Sequence, residues 1–325
     1  MRPDRIGYFG KVPARADFVK LAHDPAAISM LDAWLARVMT MLASDARWRF
    51  HYDAMAPVSF ALVGPARHHA VAGHLLASRD QSGRRFPFLA TRTLAVGDPV
   101  AFVARCPLAF APLWGFLEET CPKVLGDDDP GAWLQALADG SVALGDEHGL
   151  ARWMDEGTVG SLDSLLGTRV PGTGVGEEAG AARLVLALGL LLQPVMHSQP
   201  AELHKSLVLP LPAAPAARWP VAAFWLELIT PFLRRAGFDL ALFITRQDDR
   251  PVLVVGFCAA LAETLRAVID PLVGAELQVR LGDTGWIDEQ LQFDADVRLL
   301  STQLAQPDLP LALARDLFMK TFIGA

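Results

Sequence analysis

The chain reads as an α/β protein with helices covering a sheet, and three observations carry that reading. Segments whose apolar residues recur at helical spacing alternate with short apolar runs bounded by turn residues. At 325 residues the chain exceeds the size at which one core usually keeps growing, so two packed units, or one elaborated domain, are expected. One stretch, Thr168 to Gly180, has no apolar periodicity and is dense in glycine, as in a flexible connection. The expected organisation is an α/β domain over residues 1–165, a glycine-rich linker over 166–182, and a second, smaller α/β unit over 183–325.

In chain order, a glycine-rich strand comes first. Ser29-Met30-Leu31-Asp32 then supplies an N-cap with an acid at the third helical position, and Leu31, Trp34, Leu35, Val38 and Leu42 follow at helical spacing. Val58 to Val63, Ala70 to Ala77 and Phe86 to Leu94 are predicted as three strands of a meander, joined at Gly64-Pro65-Ala66-Arg67 and Ser82-Gly83. Asp98-Pro99 opens a helix that Pro107 and Pro112 are expected to break. Asp129-Pro130 opens another, ended by Gly140. The second unit is predicted to hold a helix from Ala181 to Gln193 and a strand from Leu207 to Leu211. A helix opened by Trp219-Pro220, kinked at Pro231 and closed by Gly237 comes next. Strands Leu240 to Thr245 and Val252 to Phe257 meet at Gln247-Asp248-Asp249-Arg250, and a helix near Ala260 to Ile269 follows.

The hydrophobic fraction is 52% and the mean hydropathy +0.29. The runs Leu184 to Leu192 and Val252 to Leu261 stop short of a bilayer span, which argues against membrane insertion. The first residues carry no apolar signal core, so a cytoplasmic location is expected. Cys106, Cys121 and Cys258 are odd in number and widely spaced, and fit buried hydrophobes in a reducing compartment. Net charge is -7 but uneven: residues 1–92 carry 13 Lys/Arg against 7 Asp/Glu, the remainder 16 against 29. A basic front can steer an acidic partner. Basic residues interleaved with aromatics and reader motifs are missing, which argues against nucleic acid.

Most candidate chemical groups have simpler readings. Gly172-x-Gly174-x-Gly176 lacks the Lys-Ser/Thr of a phosphate loop and reads as linker. Asp127-Asp128-Asp129 precedes a helix, where an acidic cap is favoured over magnesium binding. His68, His69 and His74 have no further ligand at zinc spacing. Ser78, Asp80 and His74 lack a nucleophile elbow. Trp219 and Phe224-Trp225 sit at helical spacing with Leu228, Phe232 and Leu233, as core residues rather than a partner anchor. Arg84 and Arg85 face Asp80 across a tight turn, either as a screened surface ion pair or as a fork for an anion or partner carboxylate.

Two stretches stand apart, Gly7-Tyr8-Phe9-Gly10-Lys11-Val12-Pro13-Ala14-Arg15-Ala16-Asp17-Phe18 and Ser78-Arg79-Asp80-Gln81-Ser82-Gly83-Arg84-Arg85-Phe86-Pro87. They resemble the TagF (ImpM) family associated with bacterial type VI secretion, which carries Gly-x-x-Gly-Lys-Leu-Pro-x-x-Gly-Asp-Phe and Ser-x-Asp-x-x-Gly-Arg-x-Phe-Pro. Val12 replaces the leucine and Ala16 the glycine; a position requiring positive φ would strain that alanine by about 1 kcal/mol. The resemblance covers roughly residues 1–130. It implies an αβα-layered first domain and a cytoplasmic, non-enzymatic repressor of secretion-apparatus assembly that binds a forkhead-associated scaffold protein, with no cofactor or metal. On that basis Lys11, Arg15, Asp17, Arg79, Asp80, Arg84, Arg85 and Phe86 are the expected partner-binding residues. The competing expectation is an enzyme or anion-binding protein acting on a phosphorylated protein or small anion, with Arg84 and Arg85 clamping the phosphate and Asp17 or Asp80 as base or metal ligand. A structural subunit of the apparatus would instead need a large exposed apolar patch.

Overall fold

A computed structural model describes residues 5–146, 148–167, 179–198, 203–236, 238–257, 262–282 and 286–324. The chain opens with β1 (Gly7–Gly10), β2 (Val19–Leu21), α1 (Pro25–Leu42), α2 (Trp48–Ala54) and the meander β3 (Val58–Val63), β4 (His69–Leu76) and β5 (Phe88–Ala95). Helices α3 (Pro99–Gly126), α4 (Gly131–Asp139), α5 (Gly149–Glu156), α6 (Val159–Leu166) and α7 (Ala181–Ser198) follow. Then come β6 (Ser206–Pro210), α8 (Pro215–Ala236), β7 (Leu240–Gln247), β8 (Arg250–Gly256), α9 (Ala262–Ile269), α10 (Pro271–Leu277) and β9 (Gln278–Arg280). The chain closes with α11 (Ile287–Phe293), α12 (Ala295–Leu304) and α13 (Leu311–Phe322).

The nine strands make one sheet in the order β2-β1-β5-β4-β3-β7-β8-β6-β9, antiparallel except for the β6–β9 pair. Strand alternation sends Phe60, Leu62 and Phe243 to one face, under α1 and α9, and Ala61, Val63 and Leu242 to the other, under α3, α7 and α8. The architecture is therefore α/β with an αβα layering that runs through the whole sheet. The division into residues 1–165 and 183–325 does not separate two sheets: β3 of the first part pairs with β7 of the second from Ser59↔Ile244 to Val63↔Leu240. Trp34 covers this seam, stacked on Phe243 with ring centroids 6.0 Å apart and tilted onto Phe60. Most of the expected linker, with its Gly172, Gly174 and Gly176, lies outside the described residues, as do Gly237 and Cys258.

Several boundaries differ from expectation for identifiable reasons. Helix α1 begins a turn before Ser29, because Asp24 accepts from the Ala27 N–H at 3.1 Å and Pro25 takes the first helical position. Helix α3 does not break at Pro107 or Pro112. One face of it is buried against β4 and α8, and the Gly145 N–H reaches Ala109 O at 2.9 Å, beside the carbonyl of Leu108 that Pro112 leaves without a helical donor. A Cβ at Gly145 would lie 2.1 Å from that carbonyl oxygen. Helix α3 also exceeds the apolar lengths read from the sequence. Among the described residues it alone is long and apolar enough to cross a bilayer, yet 56% of that stretch is buried in the protein. Helix α8 begins at Pro215 rather than at Trp219-Pro220 and continues through Pro231. The β7–β8 turn holds Asp248 at φ 50° and Asp249 at φ 60°, the backbone of a tight two-residue hairpin.

Candidate functional site

Gly10 ends β1 at φ +138°, and a Cβ there would lie 2.1 Å from Pro87 O. Glycine is required at this point because the two motif stretches press backbone to backbone. Lys11, the next residue, reaches Asp80 Oδ2 at 2.8 Å, and Arg84 Nε donates to the same oxygen at 2.7 Å. Asp80 Oδ1 accepts from Ser82 N at 2.9 Å, Ser82 Oγ at 2.7 Å and Arg84 N at 3.0 Å. The carboxylate is fully buried. Burial alone would raise its pKa, but the bonds from Lys11, Ser82 and Arg84 outweigh it and hold the group well below the usual carboxylate range.

Other bonds tie the same loops. Ser78 Oγ donates to Lys11 O at 2.6 Å, while the Tyr52 hydroxyl donates to Ser78 O and accepts from Ser78 N, both at 2.9 Å. Gln81 N donates to Arg15 O at 2.9 Å and Arg84 Nη2 to Ala16 O at 3.0 Å. The only non-glycine residues at positive φ among the described residues are Asp248 and Asp249, so Ala16 bears no left-handed strain in place of the family glycine. The rings of Phe9, Phe18 and Phe86 form a cluster with centroids 5.1–5.7 Å apart, and the Lys11 ammonium lies 5.2 Å from the Phe18 centroid.

The structure thus brings the two motifs together but turns their charges inward. Asp80 and Lys11, expected at a surface, are buried, and the Asp80–Arg84 pair is no screened surface contact because its carboxylate sees no solvent. Arg85 is drawn away from Asp80: its Nε and Nη2 bind Asp53 at 2.7 and 2.6 Å. Bonding to Arg85 lowers the Asp53 pKa. Arg15 pairs with Asp129 at 3.1 Å in a largely exposed contact. Asp17 Oδ1 accepts from the Phe18 N–H at 2.8 Å at the surface, and Phe86 is half-buried. Arg79 is exposed. It borders a groove of about 320 Å³ shared with Pro13, Asp53, Ala77, Ser78 and Leu125.

Sequence reasoning missed Tyr52 and Asp53, which clamp the second motif. Helix α2 is a seven-residue helix with one buried side chain, Tyr52, and carries no apolar period to announce it. The acidic cap expected from Asp127-Asp128-Asp129 is also corrected: no side chain caps α4. Instead Asp127 accepts from Asp129 N and Trp133 Nε1, which lowers its pKa, and Asp129 turns to Arg15.

Other sequence candidates are distributed through the interior. His74 Nδ1 meets Ser59 Oγ at 2.9 Å, and that hydroxyl donates to Glu118 Oε1 at 2.9 Å. Burial lowers the His74 pKa to about 4. Ser78 is engaged elsewhere, so the two do not form a nucleophile and base. Among the described residues no three His, Cys, Asp or Glu side chains gather as a metal site. Burial raises the thiol of Cys106 and pushes that of Cys121 up to about 12, far from thiolate chemistry. Phe224 and Trp225 are core residues, the latter donating Nε1 to Pro210 O at 3.0 Å.

Fold and site together define a mixed α/β protein whose two glycine- and arginine-bearing loops are locked around one buried carboxylate. Residues 7–139 match the family model of the TagF N-terminal domain, type VI secretion system-associated. The chain is also similar to a solved protein, PA0076 from Pseudomonas aeruginosa PAO1, with 24% identity and a TM-score of 0.34. That likeness covers 42% of this chain and 64% of the other, so it spans less than two thirds of PA0076. No curated protein matches the chain.

Proposed function

We propose that this chain is a cytoplasmic, non-catalytic repressor of type VI secretion system assembly that acts after translation by binding a forkhead-associated scaffold protein of the system. The observation that carries this reading is the TagF N-terminal domain over residues 7–139, whose motif charges form a self-satisfied network. Asp80 is held ionised with both oxygens engaged, the opposite of a carboxylate poised as a general base. Arg84 and Arg85 bind different carboxylates rather than converging on one anion, which weighs against the enzyme and anion-clamp reading. Occupancy is then the activity: by binding one component, the chain shifts it away from an assembly-competent state.

Calorimetric titration with the scaffold, phosphorylated and unphosphorylated, at low and high salt tests this. Saturable binding without turnover is expected, weakened by salt. Absence of binding to either form would remove the named partner and return the enzyme reading.

A further inference from the structure

Resting on that binding role and deepening it, we propose that α2 and the Arg79–Arg85 rung beside it form the receiving surface, and that its occupant is an acidic protein segment bearing an exposed apolar side chain. Lys11 and Arg84 face the buried Asp80, so recognition falls to other cations. Arg79 and Arg85 pair across an isolated antiparallel bridge, which sends their side chains out on the same face. Asp53 of α2 binds Arg85 and lies in the field of Arg79. The Arg85 guanidinium is 6.0 Å from the Trp48 ring centroid, and that of Arg49 is 5.4 Å from the same ring. Three arginines therefore gather around one carboxylate and one indole. Arg49 and Arg79 are exposed and hydrogen-bond no acid among the described residues.

Beside them Phe50 is 74% exposed, on a helix that buries only Tyr52. Arginine and large aromatics are the side chains that dominate protein interfaces, and an indole under two guanidinia is already partly desolvated. The groove walled by Arg79 continues this surface and has room for an acidic side chain. Charge complementarity selects an acidic occupant, since residues 1–92 carry 13 Lys/Arg against 7 Asp/Glu. The remainder of this chain is acidic too. A second copy docking through it would make a head-to-tail contact, whereas identical chains most commonly meet through two-fold contacts of the same patch, so a separate partner is the occupant inferred.

The test measures scaffold affinity for wild type, Arg49→Glu/Arg79→Glu, Phe50→Ser, and an Arg152→Glu control that reverses an exposed charge on α5 in the opposite helical layer. All four positions are exposed, and circular dichroism confirms folding. A synthetic peptide alternating Glu and Leu serves as a probe independent of the scaffold. Expected is a loss of about tenfold or more for the first two variants, with Arg152→Glu unchanged. Equal scaffold binding by all variants would overturn the surface and leave the repressor reading standing. If wild type binds no scaffold, the repressor reading falls and the peptide decides. Peptide binding lost in Arg49→Glu/Arg79→Glu supports the acidic-segment surface, and no peptide binding overturns it. Self-association abolished by the same double variant, with no scaffold competition, would make a second copy the occupant and overturn the separate partner.

Discussion

On the β1–β5–β4 side of the seam, an ammonium and a guanidinium share one buried carboxylate. On the β7–β8–β6 side, most buried side chains are aliphatic or aromatic, with Ser206, Thr245 and the helix-capping Asp270 among the exceptions, and the Arg280–Asp248 pair, 2.6 Å apart, lies at a turn tip. The two sides share one sheet and one pair of helical layers, so the contrast lies in how loops are held. Apolar packing is non-directional and fixes strands better than it fixes loops. A buried ion network is directional: moving Asp80 would leave the Lys11 charge in low dielectric without a partner, so the loops keep one shape. The family stretches occupy the side where loop shape is fixed.

That contrast breaks most directly at Asp80. Asp80→Ala leaves the Lys11 ammonium buried and unpaired, and the largest loss is expected here, seen as little soluble protein or a urea midpoint below that of every other variant. A midpoint near wild type would mean that the network does not hold the loops. Next comes Gly10→Ala, which adds strain at φ +138° to a clash with Pro87 O. A destabilisation of about 4 kcal/mol is expected in urea titrations.

The pH dependence sharpens the comparison. His74 is neutral in the folded chain, with a pKa lowered by burial to about 4. Its contribution is present above the unfolded value near 6.5 and is lost as pH falls toward 4, because only the unfolded state takes up the proton in that window. Roughly 3 kcal/mol should disappear between pH 7 and 4, and His74→Asn should flatten that part of the profile while Ser59 and Glu118 remain. Asp80, held lower still, should stay ionised throughout.

Smaller effects belong to the surface. Arg85→Ala removes an exposed bidentate pair with Asp53 and should cost below about 1 kcal/mol. Partner affinity should fall more than stability does. On the apolar side, Asp249→Gly relieves φ 60° in the hairpin turn and should raise stability by about 0.5–1 kcal/mol.

Much of the fold was legible. Strand β3 matches its expected bounds and β4 to β8 fall within two residues or so at most ends, because apolar runs flanked by turn residues have few other homes. Asp98-Pro99 and Gly140 punctuate helices as read. Ser29 misled because Asp24-Pro25 is an equally good start one turn earlier, and tertiary packing rewards the longer helix. The prolines of α3 misled because packing of its buried face against β4 and α8 holds the helix continuous through them. At the site, the two motifs were visible as residue strings, while Tyr52 and Asp53 carried no local signal: their roles exist only through bonds spanning 26 and 32 residues.

The sequence by itself determined the α/β class, the chain positions of β3 to β8, the basic front and the two motif stretches, since periodicity, turn chemistry and charge are local properties. Only the tertiary structure decided that both parts of the chain share one sheet, that Lys11 and Asp80 face inward, and that Arg84 and Arg85 serve different carboxylates. Those outcomes depend on which backbone edges meet and which charges lose water, quantities set by residues far apart in the chain.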